Sequence, residues 1–402
     1  MAGIVVRPRA RIFHGHDWVF GSEVLKVFGE PADGDVISLK DGRDRMLGSA
    51  IWNSRSQIVA RRFSHRRQEL DADFFLRRIK QAAAYRTRRG VNPQLHRLIW
   101  SESDGLPGVT VDRYGEQLVL QLTTCGMDKR KEMIVAALES LAQSWPRDER
   151  ASPQTSAPIV VIERGDGSAR RAEGLPSENG VLRGEARPEA FEVAGVRFTI
   201  DLLEGQKTGF YLDQLPHYQA IADFAAGRRV LDCFCNQGAF ALVCARAGAS
   251  EVVGVEEQSA AITTATENAK RNALSVRWVE QDAFSYLRAA EKAGAQFDLI
   301  VLDPPSFTKT KASLRDAIRG YRELHLRAFK LLAPDGLLAT FSCSHHVTSA
   351  IFDETIAAAL VDARRAARRL RHFEQALDHP ILPTMPETEY FKGVLLEMKP
   401  SI

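Results

Sequence analysis

Cysteine is scarce in this chain of 402 residues: there are five, an odd number with no repeated spacing. That argues against a disulfide framework and for reduced thiols. Cys233 and Cys235 stand two apart with no matching second pair, which leaves a structural zinc site without its ligands. Long apolar runs are missing too, and none approaches the ~18 to 20 residues that a membrane span needs. The opening stretch MAGIVVRPRARIFHGHDW lacks the apolar core and small-residue cleavage site of a secretory signal. A cytosolic protein without a membrane partner is the expectation.

Strong net charge is also lacking, since the formal value is only +3, but this small number hides an asymmetry. Residues 1–100 hold 19 Lys and Arg against 10 Asp and Glu, whereas the other 302 hold 35 against 41. A basic first quarter joined to an acidic remainder fits a polyanion-binding module attached to something else. Nucleic acid is the partner this favours over a merely solvated surface.

At this length two or three domains are expected. Residues 1–70 alternate in the strand manner, with DG and NS as turn punctuation, and read as a small β-rich module. Residues 71–196 read as an α+β middle domain. It opens with the helix ADFFLRRIKQAAAYRTRRG, continues through strands around SDGLPG and a hairpin at YGEQ, and has a helix at roughly 128–143. The stretches PRDERASPQTSAP and GDGSARRAEGLPSENG read as loops, and FEVAGVRFTIDL as a hairpin. Residues 197–402 alternate apolar, β-branched runs with helical stretches near 238–247, 258–273, 283–292 and 313–333. This predicts an α/β domain with a doubly wound, mostly parallel sheet, to which HFEQAL and FKGVLLEMK add an antiparallel edge.

Ligands of such sheets bind beyond the C-terminal strand ends, at the crossover. The first strand ends in LDCFCNQGAFAL, with Asp232 at its end and Gly238 opening a helix. The G-x-G-x-x-G of dinucleotide enzymes is absent. Glu256 follows Gly238 by eighteen residues, where a carboxylate can accept both hydroxyls of a ribose. Asp282 after the third strand can receive an adenine amine, and Asp303 opens DPPSF after the fourth. Any one of these acids could simply cap a helix. Four in order, with no phosphate loop, describe S-adenosylmethionine.

DPPSF and FSCSHHV raise the question of what is methylated. Pro304 and Pro305 stiffen the loop and leave carbonyls pointing outward, and Phe307 can stack on a flipped base. Such loops also serve exocyclic-amine methylation, so the loop alone does not choose the atom. Cys343 does discriminate. Carbon 5 of a pyrimidine is too weak a nucleophile unless a thiolate first adds at carbon 6. The strand before Cys343 neighbours the one before Asp303 in the usual order of this fold, so the two residues are expected to face each other. Cys125, Cys233, Cys235 and Cys244 lie in or beside apolar runs and read as packing thiols. His345 and His346 read as loop residues or phosphate contacts. A non-catalytic RNA-binding protein that kept the fold is a third reading, disfavoured by the intact acids.

These stretches resemble the large-subunit ribosomal RNA cytosine-C5 methyltransferase I family. HDWVF, GDVISLKDG, SESDGLPGVTVDRYG, GQKTGFYLDQ, VLDCFCNQGAFAL, VLDPPSF, FSCS and DHPILPTMPETEYFKGVLLEM carry the resemblance, in order, from about residue 7 to 398. It implies a PUA-type RNA-binding module, a middle domain and a class I, Rossmann-like, methyltransferase domain. It also implies S-adenosylmethionine as cofactor, RNA as partner, and a homodimer as an assembly the family allows. Cys343 would be the nucleophile, Asp303 the base contact and Glu256 the ribose acid. The segment Lys207 to Gln214, with Thr208 and Phe210, would wall the cofactor pocket, joined by Asp232, Asn236, Gly238, Asp282, Ala283 and Asp303. Pro304, Phe307 and Lys309 would meet the substrate. Two departures stand out: Leu215-Pro216-His217 after LDQ, where arginine is usual, and Ser306 where lysine is common. A helix near 362–371, carrying Arg364, Arg365, Arg368, Arg369 and Arg371, is a second candidate for phosphate contacts.

Overall fold

The computed structural model describes residues 2–145, 159–165, 167–203, 209–308 and 311–400. The expected site residues Thr208 and Lys309, and the expected loop PRDERASPQTSAP, lie outside these residues. The chain forms two compact units. The first comprises residues 1–189, 200–212 and 377–388, and the second 190–199, 213–376 and 389–402.

The first unit contains two sheets. A six-stranded sheet runs in the order Trp18–Phe20, Ile58–Ser64, Met46–Trp52, Val36–Lys40, Gly3–Val6, Val24–Phe28. Alternation sends Ile4, Val6, Val19, Ile37 and Leu39 into one apolar cluster. A five-stranded sheet pairs Leu95–Trp100, Val109–Tyr114, Gln117–Leu122, Val160–Arg164 and Asn179–Arg183. The helices Ala72–Arg88 and Lys131–Ala142 bury Phe74, Ile79 and Leu138 in the same cluster as Val111 and Leu120 of that sheet. Asp71 starts the first helix by accepting from the Phe74 amide at 2.8 Å.

The stretch expected as a loop at GDGSARRAEGLPSENG contains a short helix, Ser168–Ala172. Its Arg170 is 1% exposed and donates to the Leu122 carbonyl and to Asp128. That long-range anchoring gives the turn an order its local composition does not announce. Residues 377–388 belong to this unit through comparable contacts. The Asp378 carboxylate accepts from the Arg97 amide at 2.8 Å, its carbonyl from Arg86 Nη2 at 2.7 Å, and Glu387 meets His16 Nε2 at 2.9 Å.

The second unit holds the α/β sheet. Its seven strands run in the order Arg277–Glu280, Glu251–Glu256, Arg229–Cys233, Phe297–Leu302, Leu332–Ser342, Lys392–Met398, Ala367–Glu374. The first five are parallel, Lys392–Met398 runs antiparallel to them, and Ala367–Glu374 pairs antiparallel with Lys392–Met398. Burial on both faces explains why the central parallel strands read as continuous apolar runs. The helices Ala239–Arg246, Ser259–Arg271, Ala283–Lys292 and Leu314–Leu331 follow the expected stretches closely. Chain order reverses between Arg229–Cys233 and Phe297–Leu302, so the crevice of the sheet opens between Asp232 and Asp303.

The helix expected near 362–371 does not form. The preceding helix ends at Asp362, and Arg368, Arg369 and Arg371 stand on the edge strand Ala367–Glu374. Pairing with Lys392–Met398 overrides the helix preference of an Ala-, Arg- and Leu-rich run. The arginines also have local work. Arg365 donates to the carbonyls of Phe329, Leu332 and Ala333, Arg368 pairs with Glu397, and Arg369 with Asp353.

Candidate active site

The first strand of the parallel sheet ends in a tight loop. Phe234 (φ 63°), Asn236 (φ 47°) and Gly238 (φ 83°) all adopt left-handed backbone before the helix Ala239–Arg246 begins. Glycine is required at 238 on two counts, since a Cβ there would also lie 2.5 Å from the Trp278 ring. Glu256, at the end of the next strand, holds this loop: its Oε2 accepts from the Asn236 amide at 3.1 Å. Its Oε1 accepts from the amides of Glu257 and Gln258 at 3.0 and 3.1 Å. The carboxylate is therefore fixed in orientation before any ligand arrives.

Asp232 is fully buried, with Oδ2 taken by the Ala241 amide at 2.9 Å and Oδ1 without a partner among the described residues. Burial, reinforced by the nearby charges of Asp303 and Glu256, pushes its carboxyl well above the usual range. An orphaned acceptor at the crevice wants a donor, and an ammonium group would meet that need. Asp282 caps the helix Ala283–Lys292 through the Ser285 amide at 2.8 Å, and Ala283 is buried beside it. Phe210 belongs to the first unit, where it is buried and Tyr114 holds its backbone.

The remaining expected residues gather at the far side of the crevice. Asp303 accepts from Gln214 Nε2 at 3.0 Å, and Gln214 Oε1 lies 2.7 Å from His217 Nδ1. The carboxylate fixes which way the glutamine amide points. His217 is 5% exposed and lies among Phe341, Phe373 and Phe391, and burial lowers its pKa to about 4. The imidazole is thus neutral at physiological pH. Here the departure after LDQ acquires a physical role: His217 backs the amide that holds Asp303.

DPPSF and SCS meet directly. Ser306 Oγ lies 3.1 Å from Ser344 Oγ, so the departure at 306 is the residue that ties the two loops. Tyr321 donates to Ser342 Oγ at 2.8 Å and lies 3.1 Å from Ser344 Oγ, which explains both serines flanking the cysteine. Burial raises the Tyr321 phenol to about 12, with the charges of Cys343 and Asp303 adding to the effect. Pro304 is buried and Pro305 exposed, while Phe307 packs 4.8 Å from Tyr321 and 6.0 Å from Phe284.

From the last strand but one in the sheet order, Lys392 stands opposite Ser342 and sends Nζ to the carbonyls of Ser344 and Val347 at 2.7 and 2.5 Å. This buried cation closes the turn after Cys343. Burial lowers it to about 8, while the charges of Cys343 and Glu389 pull the other way. Cys343 itself is half-buried, whereas the other four cysteines are buried. Gln214 was expected as the end of the segment that walls the cofactor pocket and holds Asp303 instead, whereas His217, Ser306, Tyr321 and Lys392 were not expected as site residues. Only the two departures, at 215–217 and 306, marked any of them in the sequence.

Comparison with known proteins accords with this geometry. Residues 177–396 match the S-adenosylmethionine-dependent methyltransferase family, and residues 7–65 match the PUA-like domain. The ribosomal RNA large subunit methyltransferase I of Aeromonas salmonicida is 38% identical over 394 residues, 96% of each chain. That of Shewanella denitrificans is 39% identical over 391 residues, 94% of each chain. The chain belongs to the methyltransferase I family. Among solved structures, a SAM-dependent methyltransferase from Streptococcus mutans superposes with a TM-score of 0.82 at 20% identity, covering 99% of this chain and all of that one. A structure described as a methyltransferase complexed with S-adenosylhomocysteine gives 0.83, also at 20% identity, with the same coverage. At that identity the likeness concerns the fold. As a methyltransferase I family member the chain takes S-adenosylmethionine. Its residues fit that group: Asp232 offers the orphaned acceptor and Glu256 a fixed carboxylate for hydroxyls.

Proposed function

We propose that this protein methylates carbon 5 of a cytosine in large-subunit ribosomal RNA, with Cys343 as the nucleophile and Asp303 as the base contact. The observation that carries the reading is Cys343. It is the one thiol of five that is not buried, it ends the strand beside Asp303, and Lys392 braces its turn. The names of the relatives, the PUA-like domain and the basic first hundred residues support RNA as the substrate class.

S-adenosylmethionine supplies an electrophilic methyl group, which carbon 5 accepts once the ring has been activated. Cys343 activates it: the thiolate adds at carbon 6 and drives the electron pair toward carbon 5. Asp303, steadied by Gln214, accepts from the exocyclic amine and from N3–H of the adduct. Loss of the carbon-5 proton to solvent then expels the thiolate and restores the ring. Phe307 and Pro304 border the base, and Phe284 and Tyr321 hold the Phe307 ring from behind.

Wild type and Cys343→Ala are each incubated with total RNA lacking the modification and methyl-labelled cofactor, and the nucleosides are separated and weighed by mass spectrometry. Label in 5-methylcytidine with wild type and none with the variant is the expected result. Label in an N-methylated nucleoside, undiminished by the substitution, would assign the DPPSF loop to exocyclic-amine chemistry and reduce Cys343 to packing.

A further inference from the structure

The first unit holds an open cavity of about 380 Å³ that the methyl-transfer chemistry leaves unused. It lies among the end of the strand Ile58–Ser64, the helix Ala72–Arg88 and the turn Ser101–Asp104. The helix supplies Arg78, Gln81, Ala82 and Tyr85, spaced as one face of a helix must be. None of the lining residues belongs to the unit that carries Cys343.

Three carboxylates and two arginines line it, and each carboxylate is already engaged. Asp17 accepts from Arg62 Nε at 2.7 Å, and Glu102 from Trp18 Nε1 and Arg61 Nη1 at 2.8 and 3.1 Å. Asp104 accepts from Arg86 Nη1 and the Trp100 amide, both at 2.6 Å. Arg78 has no such partner among the described residues. Its guanidinium lies against Gly105, where an added Cβ would sit 3.1 Å from Cζ, and it donates to the Phe63 carbonyl at 3.3 Å. Burial and the like charges of Arg77 and Arg66 lower its pKa, as expected of a cation lacking a counter-ion. Two further lining residues each hold a buried atom without a partner among the described residues: Arg62 Nη2 and Ser103 Oγ. Arg62 is 6% exposed.

A guanidinium with no carboxylate partner among the described residues suits an anion with several acceptor oxygens. We propose that this cavity is a phosphate-binding site that grips the backbone of the RNA strand, apart from the nucleotide being methylated. The inference rests on the reading that RNA is the substrate. Free phosphate or a mononucleotide offers the same oxygens, but the surroundings favour a longer polyanion. His65, Arg66 and Arg67 are exposed directly after Ser64, and residues 61–89 carry ten Lys and Arg against three Asp and Glu. A strand leaving the cavity would meet cations along the adjoining segment.

The test uses the full chain and a fluorescein-labelled fragment of protein-free large-subunit ribosomal RNA, with affinity measured over a salt series. Arg78→Gln is expected to lose about tenfold in affinity and to lower the slope of log K against log salt by about one. Arg78→Lys, which keeps the charge, should retain the slope. Ser103→Ala should weaken binding without altering the slope. Wild-type binding with an unchanged slope in Arg78→Gln would overturn the assignment while leaving the methyltransferase reading intact. A wild type that binds no RNA would overturn both. In a second arm, inorganic phosphate and AMP are added to each protein in a thermal melt. Stabilisation of wild type but not of Arg78→Gln, together with an unchanged RNA slope, would make the cavity a free-anion site and end the RNA proposal.

Discussion

Gln214 gives an N–H of its side-chain amide to Oδ2 of Asp303 across 3.0 Å, and these residues are 89 apart in sequence. Gln214 is 1% exposed, so the donor side of the bond is shielded from water. Gln214→Leu keeps the volume and removes the donor. A hydrogen bond to a charged group contributes about 1.5 to 3 kcal/mol, so kcat/KM should fall by roughly 10- to 100-fold. Calorimetric cofactor binding, measured alongside, tells loss of base positioning from loss of cofactor. An unchanged kcat/KM would remove Asp303 positioning from the mechanism.

Buried histidines make the second unit acid-sensitive. Burial lowers His217 to about 4 and His325 to about 3, against an ordinary 6.5. The unfolded chain therefore takes up protons first as the pH drops. Stability is fully present above about 6.5 and is lost progressively as pH falls toward the folded values, by roughly 3 kcal/mol for His217 and roughly 5 kcal/mol for His325. His325 bonds Thr340 Oγ1 at 2.9 Å, away from Asp303 and Cys343. Denaturant melts of His325→Phe between pH 7 and 5 should show a shallower acid loss than wild type. Parallel curves would mean that the imidazole enters the fold already protonated.

Lys392 behaves in the opposite pH range. Its folded pKa of about 8 lies below the ordinary 10.5, so the unfolded chain binds the extra proton between those values. Stability should then rise as pH climbs from about 8 to 10.5, and Lys392→Met should flatten that rise. The substitution also strips the Ser344 and Val347 carbonyls of a shared donor. Methyl transfer at pH 7.5 is therefore expected to drop by at least about tenfold. A variant with full activity would show that the turn holds itself.

Thiol chemistry should be selective. Burial pushes the thiols of Cys233, Cys235 and Cys244 far up and Cys125 to about 11, leaving them protonated and enclosed. Brief iodoacetamide treatment of the native protein, read by peptide mass spectrometry, should label Cys343 alone. Equal labelling at Cys125 would contradict the burial on which the assignment of roles rests.

Much of the second unit is legible in the sequence for a physical reason. Parallel strands buried on both faces must be apolar throughout, so the acid that ends each run stands out, and Asp232, Glu256 and Asp303 do so. Cys343 stands out in the same way. Their supports do not, because they come from far along the chain. Gln214 ends a motif that precedes the sheet, and Lys392 stands in a strand 48 residues beyond Ser344. Ser306 and His217 were visible only as departures from a pattern, without any hint of what they touch. The arginine run after Asp362 misled because its Ala, Arg and Leu content favours helix, while its partner strand begins some twenty residues later.

The return of residues 377–388 to the first unit has a consequence for how this molecule can be taken apart. The backbone passes from one unit to the other at 189, 199, 212, 376 and 388. No single cut yields two self-contained pieces. A fragment beginning at 213 would carry Asp378 and Glu387 away, removing one acceptor of the buried Arg86 guanidinium, the acceptor of the Arg97 amide and the partner of His16 Nε2. The architecture thus resists the excision and fusion by which beads-on-a-string proteins trade parts, and binding and chemistry are inherited together.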